Sequence, residues 1–211
     1  GAALCYRTIC IEGAGILGPH AHPEISMHTP SLADYVTCLE QSDLEGVGDL
    51  MLRSAQKLAD AGAEFLICPD NTVHAAFEHV EPRSPLPWLH IADVVADHAK
   101  SREFNRAAVL GTKWLMASDV YPKSLERCGL AWAMPEDQER ETINRIIMDE
   151  LVMGTVDPQS QGELQKIIAG LANKGCDCVV LGCTELPLIL DDASSRLPTL
   201  DSTRLLARAA L

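Results

Sequence analysis

Apolar runs of strand length alternate along this chain with stretches of helical period. Glu64–Cys68, Arg106–Leu110 and Asp177–Leu181 are runs with little polar alternation. Such runs predict strands of a parallel sheet covered on both faces. Between them the period lengthens. Asp43 to Ala61 predicts an amphipathic helix stopped by Gly62, and Glu136 to Met153 predicts another. Ser160 to Lys174, ending at Gly175, and Asp201 to Leu211, with Asp201 or Ser202 as N-cap, complete the set. The proline-rich stretches Pro19–Pro23 and Pro82–Pro87 read as loops.

The order is that of an α/β protein whose crossovers are helices. It also carries a weak internal echo. Helix, glycine and strand lead into Pro69-Asp70-Asn71-Thr72, and again into Gly182-Cys183-Thr184-Glu185. Ligands of parallel sheets bind at the carboxyl ends of strands. Two such ends, one from each half, predict a shared crevice.

Composition narrows the partners. The formal net charge is −13, which opposes nucleic acid and anionic lipid. No apolar stretch is long enough to span a bilayer, and the amino terminus lacks the pattern of a secretory signal. The eight cysteines are scattered, several inside apolar runs, which predicts reduced thiols in a cytoplasmic protein rather than a disulfide framework.

Two turns could carry chemistry. After Gly182, Cys183 is expected at a helix N-terminus, where free N–H groups and the helix dipole would lower its pKa below about 8.5. The same N–H groups and the Thr184 hydroxyl could hold a carboxylate; alternatively, Cys183 is a small buried hydrophobe. In Pro69-Asp70-Asn71-Thr72-Val73-His74, Asp70 ends a strand and Asn71 and Thr72 offer donors, or the cluster is an ordinary helix cap.

Other signals carry less. Gly13-Ala14-Gly15-Ile16-Leu17-Gly18 follows the strand-like Thr8–Ile11 and has dinucleotide-fingerprint spacing. Pro19 and Pro23 follow at once where that fingerprint must open a helix, so a flexible loop over the site is expected instead. His20-x-His22 and Cys176-x-Cys178 lack zinc-motif spacing, and no metal is expected. Trp114 and Trp132 are expected in core or interface. His74 either orients the site or is a core histidine.

Taken together, the two turns resemble the aspartate/glutamate racemase superfamily, whose members carry Pro-Cys-Asn-Thr-x-His after one strand and Leu-Gly-Cys-Thr-Glu after another. Here these read Pro69-Asp70-Asn71-Thr72-Val73-His74 and Leu181-Gly182-Cys183-Thr184-Glu185. Leu110-Gly111-Thr112-Lys113-Trp114 with Tyr121, and Leu197–Thr203, are similar to the family's middle and C-terminal regions. The resemblance implies two pseudosymmetric, flavodoxin-like parallel-sheet domains with the site in the cleft between them. It also implies two cysteines on opposite faces of the substrate α-carbon, no cofactor and in particular no pyridoxal phosphate, a small amino or carboxylic acid as substrate, and a homodimer. The expected domains are residues 1–89 plus 198–211, and residues 90–197.

The chain departs from that pattern at four places. Asp70 replaces the first cysteine, and Cys68, two positions early, is expected to point elsewhere. Leu115 stands where relatives often have a substrate-binding threonine. No basic residue grips a side-chain carboxylate: Met27–Ser31 offers His and hydroxyls, and Val152 stands where a lysine is expected. The family's first strand and glycine loop are not visible in this sequence.

The expected activity is therefore racemisation or epimerisation by an Asp70/Cys183 acid–base pair. Burial and a nearby thiolate would raise Asp70 above its usual pKa near about 3.9. Asn71, Thr72 and Thr184 would bind the α-carboxylate with help from Thr112, and Lys113 is expected to be a solvated surface residue. The alternatives are a single-cysteine decarboxylase of malonate-type acids and a catalytically silent small-acid binding protein.

Overall fold

All three predicted strands form, and every pairing they make is parallel. The computed structural model describes residues 1–211. It opens with helices α1 (Ala2–Leu17), α2 (Leu32–Glu40) and α3 (Leu44–Asp60). Strand β1 (Leu66–Ile67), helix α4 (Phe77–Val80) and strand β2 (Trp88–Leu89) follow. Next come α5 (Ile91–Ser101), β3 (Arg106–Gly111), α6 (Lys113–Met116), α7 (Val120–Arg127) and β4 (Ala131–Ala133). The chain ends with α8 (Asp137–Arg145), α9 (Pro158–Asn173), β5 (Cys178–Gly182), β6 (Thr199–Asp201) and α10 (Ser202–Ala209).

One sheet has four strands in the order β4-β3-β5-β6, and the other holds only β1 and β2. The fold is thus mixed α/β with parallel sheets. In the larger sheet Ala107, Val109, Cys178 and Val180 pack toward α5 and α7. Ala108, Leu110, Val179 and Leu181 pack toward α8 and α9. Both sets are buried, which is why these strands show no polar alternation. Each buried Val or Leu contributes roughly 1.5–3 kcal/mol relative to exposure.

The helix boundaries follow capping chemistry. Asp43 accepts from the Gly46 N–H at 2.8 Å to open α3, and Gly62 leaves the helix at φ 91°. Asp157 caps α9 through the Gln159 N–H, and Asp201 caps α10 through the Arg204 N–H. The predicted helix from Glu136 is regular only to Arg145 and continues as a π-helical turn over Ile146–Leu151.

Three expectations are corrected. Thr8–Ile11 is not a strand and Gly13–Leu17 is not a loop, for all lie in α1. Short apolar runs fit either period. Here Cys5, Ile9 and Gly13 are buried at four-residue spacing, which is helical. A Cβ on Gly13 would sit 3.3 Å from His22 and Leu211, so the glycine serves close packing. Glu12 accepts two bonds from Arg208, at 2.7 and 2.9 Å, and so joins α1 to α10. The Glu64–Cys68 strand shrinks to two residues. Finally, Thr199–Asp201, which the sequence places with the first half, pairs with β5 in the larger sheet; α10 alone then packs on α1, as well as on α5.

Candidate active site

Strands β1, β3 and β5 end around one cavity of about 550 Å³. All six residues singled out by sequence line it: Asp70, Asn71, Thr72, Thr112, Cys183 and Thr184. Two glycines make the ends of β3 and β5 possible. A Cβ on Gly182 would lie 2.7 Å from the Leu110 carbonyl oxygen and 2.7 Å from Leu115 Cδ2. A Cβ on Gly111 would lie 2.6 Å from the same Leu115 atom. Leu115, one of the departures from the family pattern, is therefore a buried plug over both strand ends.

Asp70 follows β1 by three residues and is held from two sides. Its Oδ1 accepts the Thr72 N–H at 2.9 Å and the Val73 N–H at 3.4 Å, capping the short 3₁₀ turn Thr72–Ala76. Tyr35, on α2, donates its hydroxyl to Oδ2 at 2.6 Å. Burial raises the Asp70 pKa and the Glu185 charge adds to this, while the three hydrogen bonds act the other way. The Tyr35 phenol is pushed up by burial and by the Asp70 charge.

Cys183 faces the opposite electrostatics. The turn after β5 leads only into a three-residue 3₁₀ segment, Leu186–Leu188, so the expected helix N-terminus is missing. Instead Glu185 accepts from the Cys183 thiol at 3.1 Å and from the Thr184 hydroxyl at 2.5 Å. Burial first, then Glu185 and Asp70, hold the thiol well above its ordinary value. The expected lowering of this pKa is thus reversed.

The supporting residues divide into two groups. Asn71 is a buried clamp: Tyr121 donates to its Oδ1 at 2.6 Å, and its Nδ2 donates to Ser202 Oγ at 3.0 Å. Ser202 in turn donates to the Leu181 carbonyl at 2.8 Å. One amide hydrogen of Asn71 remains for a ligand. The Thr72 and Thr112 hydroxyls share a hydrogen bond of 2.9 Å, and Thr112 also caps α6 through the Leu115 N–H. Lys113 is exposed and lies over the Trp114 ring at 5.0 Å.

Other expectations change once the site is assembled. Cys68 does not point elsewhere; it lines the same cavity, with burial pushing its thiol up to about 12. His74 is buried, bonds the Asp70 carbonyl through Nδ1 at 2.8 Å and stacks on Phe77. Burial and His90 lower its pKa to about 3, so its imidazole is neutral. Cys176 and Cys178 lie in cores on opposite faces of the sheet, as their alternation requires. Tyr35 and Glu185 were missed as site residues. Glu185 sits in the quoted motif, but nothing local to Tyr35 shows that α2 turns it toward a residue 35 positions away.

Comparison with known proteins agrees with this geometry. A family model described as Asp/Glu/hydantoin racemase matches residues 5–210. The broad specificity amino-acid racemase RacX of Bacillus subtilis (strain 168) is 25% identical over 189 residues, covering 88% of this chain and 78% of that one. A glutamate racemase of Pseudomonas aeruginosa is 26% identical over 145 residues, and that match spans only 51% of its length. The crystal structure of an aspartate racemase homologue from Pyrococcus horikoshii OT3 superposes with a TM-score of 0.81 at 30% identity, covering 98% of this chain and 91% of that one. A structure from Yersinia pestis provisionally assigned as an Asp/Glu racemase gives a TM-score of 0.89 at 29% identity, covering 99% and 91%. With the family match over nearly the whole sequence and the two strand-end turns meeting at one cavity, the chain belongs to the Asp/Glu/hydantoin racemase family of isomerases.

Proposed function

We propose that this protein racemises or epimerises an amino acid at its α-carbon by a two-base mechanism, with Asp70 on one wall and Cys183 on the other. The observation that carries the reading is that the carboxyl and the thiol line one cavity, each raised above its ordinary pKa. Burial makes the carboxyl a stronger base than a free aspartate, while the raised thiol keeps its proton for delivery. In the resting enzyme the proton sits on sulfur, because Asp70 accepts three hydrogen bonds while Cys183 faces Glu185.

For one enantiomer, the Asp70 carboxylate removes the α-proton and the Cys183 thiol delivers its own to the opposite face. The product leaves Asp70 protonated and Cys183 as thiolate. The other enantiomer is processed in the reverse sense, from that second protonation state. The substrate ammonium offsets the negative charge of Asp70 and Glu185. The α-carboxylate is held by the hydroxyls of Thr72, Thr112 and Thr184 and by the spare amide hydrogen of Asn71. The same reading treats residues 1–89 with α10, and residues 90–197, as the two units that close on the substrate.

The test is α-proton exchange in deuterium oxide, followed separately for each enantiomer of an amino-acid panel. Cys183→Ser is expected to lower racemisation by about 10²–10⁴-fold. Asp70→Asn is expected to lower it similarly while affecting exchange from one enantiomer more than from the other. Exchange from both enantiomers that survives Cys183→Ser would remove the assignment.

A further inference from the structure

The cavity has two dissimilar ends. Its polar end holds the acid–base pair and the threonines. The rest is apolar, formed in part by Met27, Leu50, Met51, Leu58, Ile67 and Trp88. None of the lining side chains is Lys or Arg, whereas Asp70 and Glu185 both bring negative charge.

His28 is the only lining side chain of basic type, and both its ring nitrogens are occupied. Lys57 donates to Nε2 at 3.0 Å, so Nδ1 carries the hydrogen and donates to Ser54 Oγ, also at 3.0 Å. Ser54 Oγ in turn donates to the Leu50 carbonyl at 3.2 Å. No lysine or arginine lines the cavity to pair with a second substrate carboxylate; Ser26, Thr29 and Ser31 offer only uncharged hydroxyls. Burying such a carboxylate without a cationic partner, beside two acids, is costly.

From this we infer that the enzyme takes amino acids with a bulky apolar side chain, of the leucine, methionine or phenylalanine type, and disfavours aspartate and glutamate. The inference rests on the racemase reading and names the substrate class of that same site. A volume of about 550 Å³ falls within the range of small-molecule pockets. A short diacid would leave much of it to water against apolar walls. A branched or aromatic side chain would replace that water and bury apolar surface.

The test measures kcat/KM for exchange, and Kd by calorimetry, for leucine, methionine, phenylalanine, aspartate and glutamate. The apolar acids are expected to exceed the acidic ones by tenfold or more in both quantities. Met27→Arg, at an exposed rim position, is expected to shift the glutamate-to-leucine ratio at least tenfold toward glutamate. Faster exchange or tighter binding of aspartate or glutamate by the wild type would overturn the substrate class while leaving the racemase reading intact. A ratio unmoved by Met27→Arg would also overturn it. Absence of exchange with every acid would instead defeat the racemase reading, and the Kd ratio would then decide the pocket's class by itself.

Discussion

Two turns that line the cavity look alike in sequence and differ in physics. After β1, Asp70 is embraced by donors from Tyr35, Thr72 and Val73, an arrangement that supports a negative charge. After β5, Cys183 donates to an anion, Glu185, an arrangement that opposes one. In the proposed pair these neighbours favour the carboxylate, against the burial that raises it, and favour the protonated thiol, in line with the burial that raises it. A carboxyl is intrinsically a much stronger acid than a thiol, and these neighbours act in the same sense, favouring the proton on sulfur in the proposed pair.

Removing the difference is the most severe way to test it. Asp70→Cys makes the walls alike in chemistry. It is expected to retain two-base exchange within about tenfold of the wild type and to bring the pH profiles of the two directions together. Profiles that stay apart would mean that the asymmetry does not originate at Asp70.

His74 belongs to the Asp70 wall and tests that wall's folding. Its pKa falls from an ordinary 6.5 to about 3 on burial, so the unfolded chain binds the extra proton between those values. The stability tied to neutral His74 is present above pH 6.5 and is lost as pH falls toward about 3, amounting to a few kcal/mol. Urea unfolding at a series of pH values is expected to show a shallower acid slope for His74→Leu than for the wild type. Equal slopes would contradict the burial argument.

On the other wall, Glu185→Gln removes the charge that holds the thiol up. Peptide-resolved alkylation of Cys183 at pH 8 is expected to accelerate about tenfold, one pKa unit of thiolate. An unchanged or slower rate would show that burial alone sets the thiol.

The smallest expected effect is that of Tyr35→Phe, which deletes one donor to Asp70. The carboxyl then rises further, moving the acid limb of kcat/KM up by about one unit for the enantiomer that Asp70 deprotonates. The opposite direction is expected to keep its profile. An equal change in both would reduce Tyr35 to a packing residue.

Local pattern determined a good part of this protein. Unbroken apolar runs, a period of 3.6, glycine stops and aspartate caps placed β3, β5, α3, α9 and α10, because those signals act over a few residues. The turns at Asp70 and Cys183 were legible for the same reason, since strand, turn and motif are contiguous. Tertiary structure decided the rest. Thr8–Ile11 fits either period, and only packing of Cys5, Ile9 and Gly13 in α1 against α10 and its neighbours made it helix. Thr199–Asp201 joined the sheet of β5 through backbone pairing that its own side chains do not encode. The electrostatics of the site came from Tyr35, 35 residues before Asp70, and from burial, and the sense of the Cys183 shift came from an acid folded back onto the thiol. Spacing along a chain fixes which groups are close in sequence; desolvation and the neighbours met in three dimensions fix which of them hold a proton.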